Sequence, residues 1–218
     1  MNKEILITIN GTDNKTLSLP LEELSHTIIF GNTGSGKSNL LHMLITNLTK
    51  TYSPDELKLA LIDPKHVEFN SYKSLPHLFC SIAKTPAEVT SLLNECSTNN
   101  KTPIIIIIDE LVELTFNKEA ISKVLEILNN GNNSNIYFIM ASQRPSAIPD
   151  EITSKTKTQI CFPVNSNGLP KSLSAEMKTI ALKNHGEMIF INNETKEHFQ
   201  TTYISQSIID ESIKNCKN

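Results

Sequence analysis

Eight residues constrain this chain more than any others: Gly31-Asn32-Thr33-Gly34-Ser35-Gly36-Lys37-Ser38. They lie between a short β-branched run, Thr27 to Phe30, and a stretch from Asn39 to Leu48 in which Leu40, Leu41, Leu44 and Leu48 recur at helical spacing. A strand that turns through glycines into a helix leaves successive backbone N–H groups facing one anion. The helix start adds the positive end of its dipole. The spacing satisfies G-x-x-x-x-G-K-[ST], in which the lysine reaches the β- and γ-phosphates of a nucleotide and the hydroxyl ligates Mg2+. A chance Gly/Ser turn would lack the strand before it and the helix after it. The expected ligands are therefore ATP, held by Gly31 through Ser38, and Mg2+, held in part by Ser38.

An acidic partner stands downstream. Ile104 to Ile108 form an unbroken apolar run, as a strand covered on both faces requires, and it ends at Asp109-Glu110. Open α/β sheets place ligands outside the carboxyl ends of their strands, where these two carboxylates emerge. Asp109 is expected to hold Mg2+ through water, and Glu110 to polarise the water that attacks the γ-phosphate. Alone, the pair would read as a solvated acidic turn; beside the phosphate loop it reads as catalytic. The run Ile136 to Ala141 delivers Ser142-Gln143-Arg144-Pro145 to the same edge, where Gln143 can sense the γ-phosphate.

The remaining chain repeats one rhythm, a short apolar run and then an amphipathic stretch, which is the signature of βαβ units around a parallel sheet. Strands are predicted from Glu4 to Ile9, from Leu57 to Asp63, from Gln159 to Val164 and from Gly186 to Ile191. A turn over Asn10 to Asn14 leads into a second short strand. Ser53-Pro54-Asp55-Glu56 and Thr85-Pro86-Ala87-Glu88 both have the form of a capping box, the second opening a helix of Val89, Leu92, Leu93 and Cys96. Further helices are expected from Asn117 to Leu128 and from Ser207 to Lys217. The 218 residues suit one domain: N-terminal strands over 1–26, a phosphate-loop core over 27–192, and a C-terminal strand and helix over 193–218. The expected fold class is α/β, a mostly parallel sheet with helices on both faces and a small N-terminal β-hairpin.

Composition removes other classes. A net charge of −3 is wrong for a basic protein that coats nucleic acid, though a local positive patch stays compatible. Cys80, Cys96, Cys161 and Cys216 lie far apart with no C-x-x-C pair, which argues against a zinc ribbon or disulfide scaffold and suits a reducing cytoplasm. No secretory h-region follows Met1, and the longest purely apolar run, Ile104 to Ile108, is far below the roughly 20 residues that span a bilayer. A cytoplasmic protein with no direct membrane insertion is expected.

Four blocks in order carry a family resemblance: GNTGSGKSNLL from Gly31, LIDPKHVEFNSYKSLPHL from Leu61, IIIDELVEL from Ile106 and ASQRPS from Ala141. Together they resemble the FtsK/SpoIIIE DNA translocases of the RecA-like HerA/FtsK superfamily. The second block is the most specific, and Gly186-Glu187-Met188-Ile189-Phe190 adds a weaker fifth. The resemblance implies a RecA-like P-loop ATPase that assembles as a ring, a hexamer, around double-stranded DNA and moves along it. Residue by residue it assigns Lys37 and Ser38, Asp109 and Glu110, and Gln143 as sensor.

Three departures qualify it. The family's membrane-spanning N-terminus and orientation-reading winged helix have no counterpart here, so a bare motor serving a mobile element, plasmid or virus is expected, with conjugative transfer, mobilisation or packaging as its task and an unidentified loading partner. The segment Asn129 to Ser134 is uncharged where the family often carries basic residues, which leaves Lys155 and Lys157, and less strongly Lys65 and Lys73, as candidates for DNA contact. Arg144 is the sole arginine, and Lys171 falls where the family places a finger arginine. A lysine offers charge without the planar fork, so Lys171 acting in trans is the expectation, with Arg144 the one arginine able to replace it. Two competing readings remain open from sequence: a protein-moving secretion-type ATPase, and an assembly adaptor that binds ATP and hardly hydrolyses it.

Overall fold

The strand that feeds the glycine-rich turn sits in the middle of a seven-stranded sheet. In this computed structural model, which describes residues 6–12, 14–24, 26–98, 101–130, 135–164, 185–192 and 195–216, the chain opens with an antiparallel hairpin of β1 (Leu6–Asn10) and β2 (Thr16–Pro20). A short helix α1 (Leu21–Leu24) leads to β3 (Thr27–Phe30) and then α2 (Lys37–Thr51). There follow β4 (Lys58–Ile62), α3 (Pro86–Thr98), β5 (Ile104–Ile108), α4 (Leu111–Leu114), α5 (Lys118–Asn130) and β6 (Ile136–Ser142). The last elements are α6 (Asp150–Thr153), β7 (Thr158–Cys161), β8 (Glu187–Asn192), β9 (Thr195–Gln200) and α7 (Gln206–Asn215).

The sheet order is β4-β5-β6-β3-β7-β8-β9, parallel from β4 to β7 and antiparallel at β8 and β9. All five isoleucines of β5 are fully buried, because alternate side chains enter opposite helical layers. Ile105 and Ile107 join the layer built on α2, together with Ile7 and Ile9 of the hairpin and Ile209 and Ile213 of α7. Ile104, Ile106 and Ile108 join the layer of α3 and α5. Burying each such side chain contributes roughly 1.5–3 kcal/mol. The expected architecture, helices on both faces of a mostly parallel sheet plus an N-terminal hairpin, is the one observed.

Element ends differ where local chemistry intervenes. The Thr85 capping box forms as read: Glu88 accepts from the Thr85 and Lys84 amides at 2.9 and 2.8 Å, and the Glu88 amide donates to the Thr85 hydroxyl at 3.3 Å. The Ser53 box closes only half, Glu56 accepting from the Ser53 amide at 2.9 Å, and it caps a turn that enters β4 instead of a helix. The strand expected from Gln159 to Val164 stops at Cys161, since Pro163 has no N–H to continue a ladder and its carbonyl instead accepts from the Asn32 amide at 2.9 Å. Helix α5 runs on through Asn130, into the segment expected to be loop. Residues 131–134 of that segment lie outside the described residues.

Candidate nucleotide and metal site

Because β6 lies between β3 and β5, the glycine-rich turn and the acidic pair face each other across the end of one strand. Gly36 ends the turn at φ +122°, a conformation an L side chain rarely adopts. A Cβ there would also meet Phe162 at 2.9 Å and Gly186 at 3.1 Å. Gly34 takes φ +75°. Lys37 is 6% exposed, and its ammonium donates to the Gly31 and Asn32 carbonyls at 2.7 and 2.9 Å. Burial lowers its pKa, opposed by the charges of Glu110 and Asp109. The lysine thus rests on its own loop, where a phosphate would replace two carbonyls.

Glu110 adopts φ 70°, ψ 72° immediately before α4. A left-handed non-glycine residue costs roughly 1–2 kcal/mol, and such strain collects where a side chain must be aimed. One carboxylate oxygen accepts from the Ser142 hydroxyl at 2.9 Å and the Gln143 amide at 3.1 Å; the other pairs with the Lys65 ammonium at 3.2 Å. Gln143 also reaches the glycine-rich turn, its side-chain carbonyl accepting from the Thr33 hydroxyl at 2.9 Å. The residue expected to be the sensor therefore touches both the turn and Glu110. Asp109 is 8% exposed, and its pKa is raised to about 6, first by burial and then by the negative charge of Glu68, Asp63 and Glu110.

Glu68 was not singled out by sequence reasoning, although it belongs to the quoted block LIDPKHVEF. Asp63, fully buried, accepts from the Val67 and Phe69 amides at 3.2 and 3.1 Å, and so curls the loop that follows β4. The curl turns Lys65 toward Glu110 and Glu68 toward the phosphate-loop helix. Glu68 lies 3.4 Å from His42 Nε2, and His42 Nδ1 is 2.9 Å from the Tyr72 hydroxyl. Its pKa is lowered, chiefly by the His42 hydrogen bond and further by one from the Ser38 hydroxyl. The signature block is a device for delivering one cation and one carboxylate to the site; its spacing was the signal, since both flank the Asp63 turn.

These groups fit Mg2+. Asp109, Glu68 and the Ser38 hydroxyl are hard oxygen donors, and the burial and neighbouring negative charge that lift the Asp109 pKa mark a place where a cation is favoured. A cavity of about 580 Å3 opens beside them, its lining shared by Thr33, Lys37, Ser38, Glu68 and Gln143 with His185, Gln200 and Tyr203.

The other expected site residues scatter. Arg144 is 3.8 Å from Glu113 and 61% exposed. Lys171 lies outside the described residues. Lys155 and Lys157 precede β7, at the amino edge of the sheet, away from the phosphate loop. Lys65 is paired with Glu110, and Lys73 is exposed. Among the described residues no helix is long and apolar enough to cross a membrane.

Residues 3–102 match the model of the FtsK/SpoIIIE family. The DNA translocase FtsK of Staphylococcus aureus (strain Mu50) is 27% identical over 238 aligned positions, covering 90% of this chain and 30% of that protein. The DNA translocase FtsK of Helicobacter pylori (strain 26695) is 33% identical over 205 positions, covering 78% and 24%. The chain thus spans less than a third of these relatives. Among solved structures, the pCW3 conjugation coupling protein TcpA with ATPγS superposes with TM-score 0.78 at 20% identity, over all of this chain and 72% of that one. The cytoplasmic domain of EssC gives 0.73 at 16%, over all of this chain and 50% of that one. The genome packaging NTPase B204 of Sulfolobus turreted icosahedral virus 2 gives 0.63 at 14%, over 83% and 98%. At these identities the structures speak for the fold alone.

Proposed function

The chain carries an FtsK/SpoIIIE-type motor domain with the P-loop ATPase fold, and from that premise we propose that it hydrolyses ATP to move along double-stranded DNA as a ring, most simply a hexamer. The observation that carries the reading is the chain of hydrogen bonds from Thr33 through Gln143 to Glu110, with Thr33 and Gln143 lining the same cavity as Lys37. The loop amides and Lys37 bind the β- and γ-phosphates. Ser38, with Asp109 and Glu68 behind it, would hold Mg2+, whose charge would neutralise the phosphates when bound. Glu110 accepts the proton of a water aligned with the γ-phosphorus; the P–O bond to ADP breaks as the new one forms. Gln143 bonds the loop through its side chain and Glu110 through its amide, so an occupied γ-phosphate position reaches the acid through one residue.

A neighbour's basic group completes the site, with Lys171 as first candidate. The exposure of Arg144 supports it as the substitute. Lys155 and Lys157 are the proposed phosphate-backbone contacts; repetition round a ring offsets the net charge of −3. The protein works in the cytoplasm, moving the DNA of a mobile element, plasmid or virus in transfer, mobilisation or packaging.

The test is ATP turnover against linear duplex DNA at several salt concentrations. Stimulation that fades with salt is expected. Turnover indifferent to DNA would favour a protein-moving ATPase, and no turnover at all an ATP-binding adaptor.

A further inference from the structure

Three of the four tyrosines are buried: Tyr52, Tyr72 and Tyr137 are at most 4% exposed. Tyr203 is 79% exposed and lines the same cavity as Gly34, Gly36 and Lys37 of the phosphate loop. Its exposure is not slackness of the chain. Asn39, in the first turn of α2, donates from Nδ2 to the Thr202 carbonyl at 2.8 Å and accepts from the Ile204 amide at 2.7 Å. One side-chain amide thus clamps the backbone on both sides of Tyr203 to the helix that begins at Lys37.

A second set of bonds fastens the same segment to the loop itself. The Gly186 amide donates to the Ser35 carbonyl at 2.9 Å, and the Thr201 amide donates to the Gly186 carbonyl at 2.9 Å. His185 donates from Nδ1 to the Gly34 carbonyl, and Gln200 donates to the His185 carbonyl at 2.9 Å. The aromatic residue is therefore held at a fixed place relative to the phosphates, with its own surface left open. An aromatic kept rigid and unpacked is suited to a planar partner, offset-stacked on its face. The glycine-rich turn accounts for the triphosphate and leaves Tyr203, in the same lining, to the rest of the nucleotide.

We propose that Tyr203 is the stacking platform for the base of a purine nucleoside triphosphate, and so determines that the site takes a nucleotide and not a bare polyphosphate. The proposal rests on the reading of Gly31 to Ser38 as an ATP-binding turn. Loss of one base–aromatic stack weakens binding by roughly 5- to 100-fold.

Calorimetric titration with ATPγS and with inorganic tripolyphosphate, both with Mg2+, separates the two ideas. Tyr203→Ala is expected to lose affinity for ATPγS by that factor and to bind tripolyphosphate as wild type does, with Tyr203→Phe restoring ATPγS binding. The chain has no tryptophan, so Tyr203→Trp introduces a single tryptophan, excited apart from the tyrosines, whose emission ATPγS should quench and tripolyphosphate should leave unchanged. Equal loss for both ligands, no loss for either, or a Tyr203→Trp emission blind to ATPγS would overturn the assignment. If wild type bound tripolyphosphate and ATPγS equally tightly, the phosphate loop would stand and the platform would fall. If wild type bound neither, the ATP-binding reading would fall and take this one with it.

Discussion

The two edges of the parallel strands handle burial in opposite ways. At the carboxyl edge, Asp63, Asp109, Glu110 and Lys37 are all at most 8% exposed. At the amino edge the buried polar groups include His26, Thr27, Thr158 and Asn192, which pairs with Thr158. His26 is 2% exposed, its Nδ1 accepts from the Phe138 amide at 3.3 Å, and burial, with Lys157 nearby, lowers its pKa to about 4. One edge neutralises its titratable group. The other concentrates charge, at a desolvation cost of several kcal/mol per ion that a bound ligand can offset. Charge collects at the edge where a polyphosphate and a divalent cation would lie.

The contrast is broken most severely at Glu110. Glu110→Gln should lower ATP turnover by roughly 100- to 10,000-fold, as expected for removal of a general base, while nucleotide affinity stays near wild type. Phosphate release measured beside nucleotide titration decides this; a loss below about tenfold would demote the residue.

The amino edge predicts a pH effect on stability. His26 titrates near 4 when folded and near 6.5 when unfolded. Its neutral form therefore stabilises the fold fully above about pH 6.5, and that contribution, up to about 3 kcal/mol, is lost as pH falls through 4. Urea midpoints at pH 7.5 and 4.5 should diverge for wild type and converge for His26→Gln. Equal divergence in the variant would assign the acid sensitivity elsewhere.

Glu68 sharpens the comparison, since it is read as serving the metal and not the base. Glu68→Gln should weaken Mg2+-dependent nucleotide binding by about 10- to 100-fold, in the range for groups behind metal ligands, and leave binding in EDTA unchanged. Loss in both conditions would make Glu68 a structural support.

The smallest effect belongs to Lys155 and Lys157. With both changed to Ala, turnover without DNA should hold, and the slope of log affinity for duplex DNA against log salt should fall by about one per lost contact. An unaltered slope would leave the amino edge free of DNA.

Reading the sequence recovered what is contiguous. The turn from Gly31 to Ser38, the acids after Ile108 and the Gln143 loop are each fixed by neighbours in the chain, so pattern alone placed them. The block from Leu61 was legible as a signature but not as chemistry, because the roles of Lys65 and Glu68 depend on a loop folded by Asp63 hydrogen bonds. Tyr203 left no local signal at all. It reaches the cavity through the antiparallel edge strands β8 and β9 and the Asn39 clamp, and contacts across that separation are set by sheet pairing. The early stop of β7 had a visible cause in Pro163, which the apolar pattern around it masked.

The most direct measurement is a crystal structure of the protein with Mg2+ and a non-hydrolysable ATP analogue. The account predicts that the Lys37 ammonium leaves the Gly31 and Asn32 carbonyls for the β- and γ-phosphates, with Ser38 at the metal and Glu110 beside the γ-phosphate. A triphosphate bound elsewhere, with Lys37 still on those carbonyls, would contradict it.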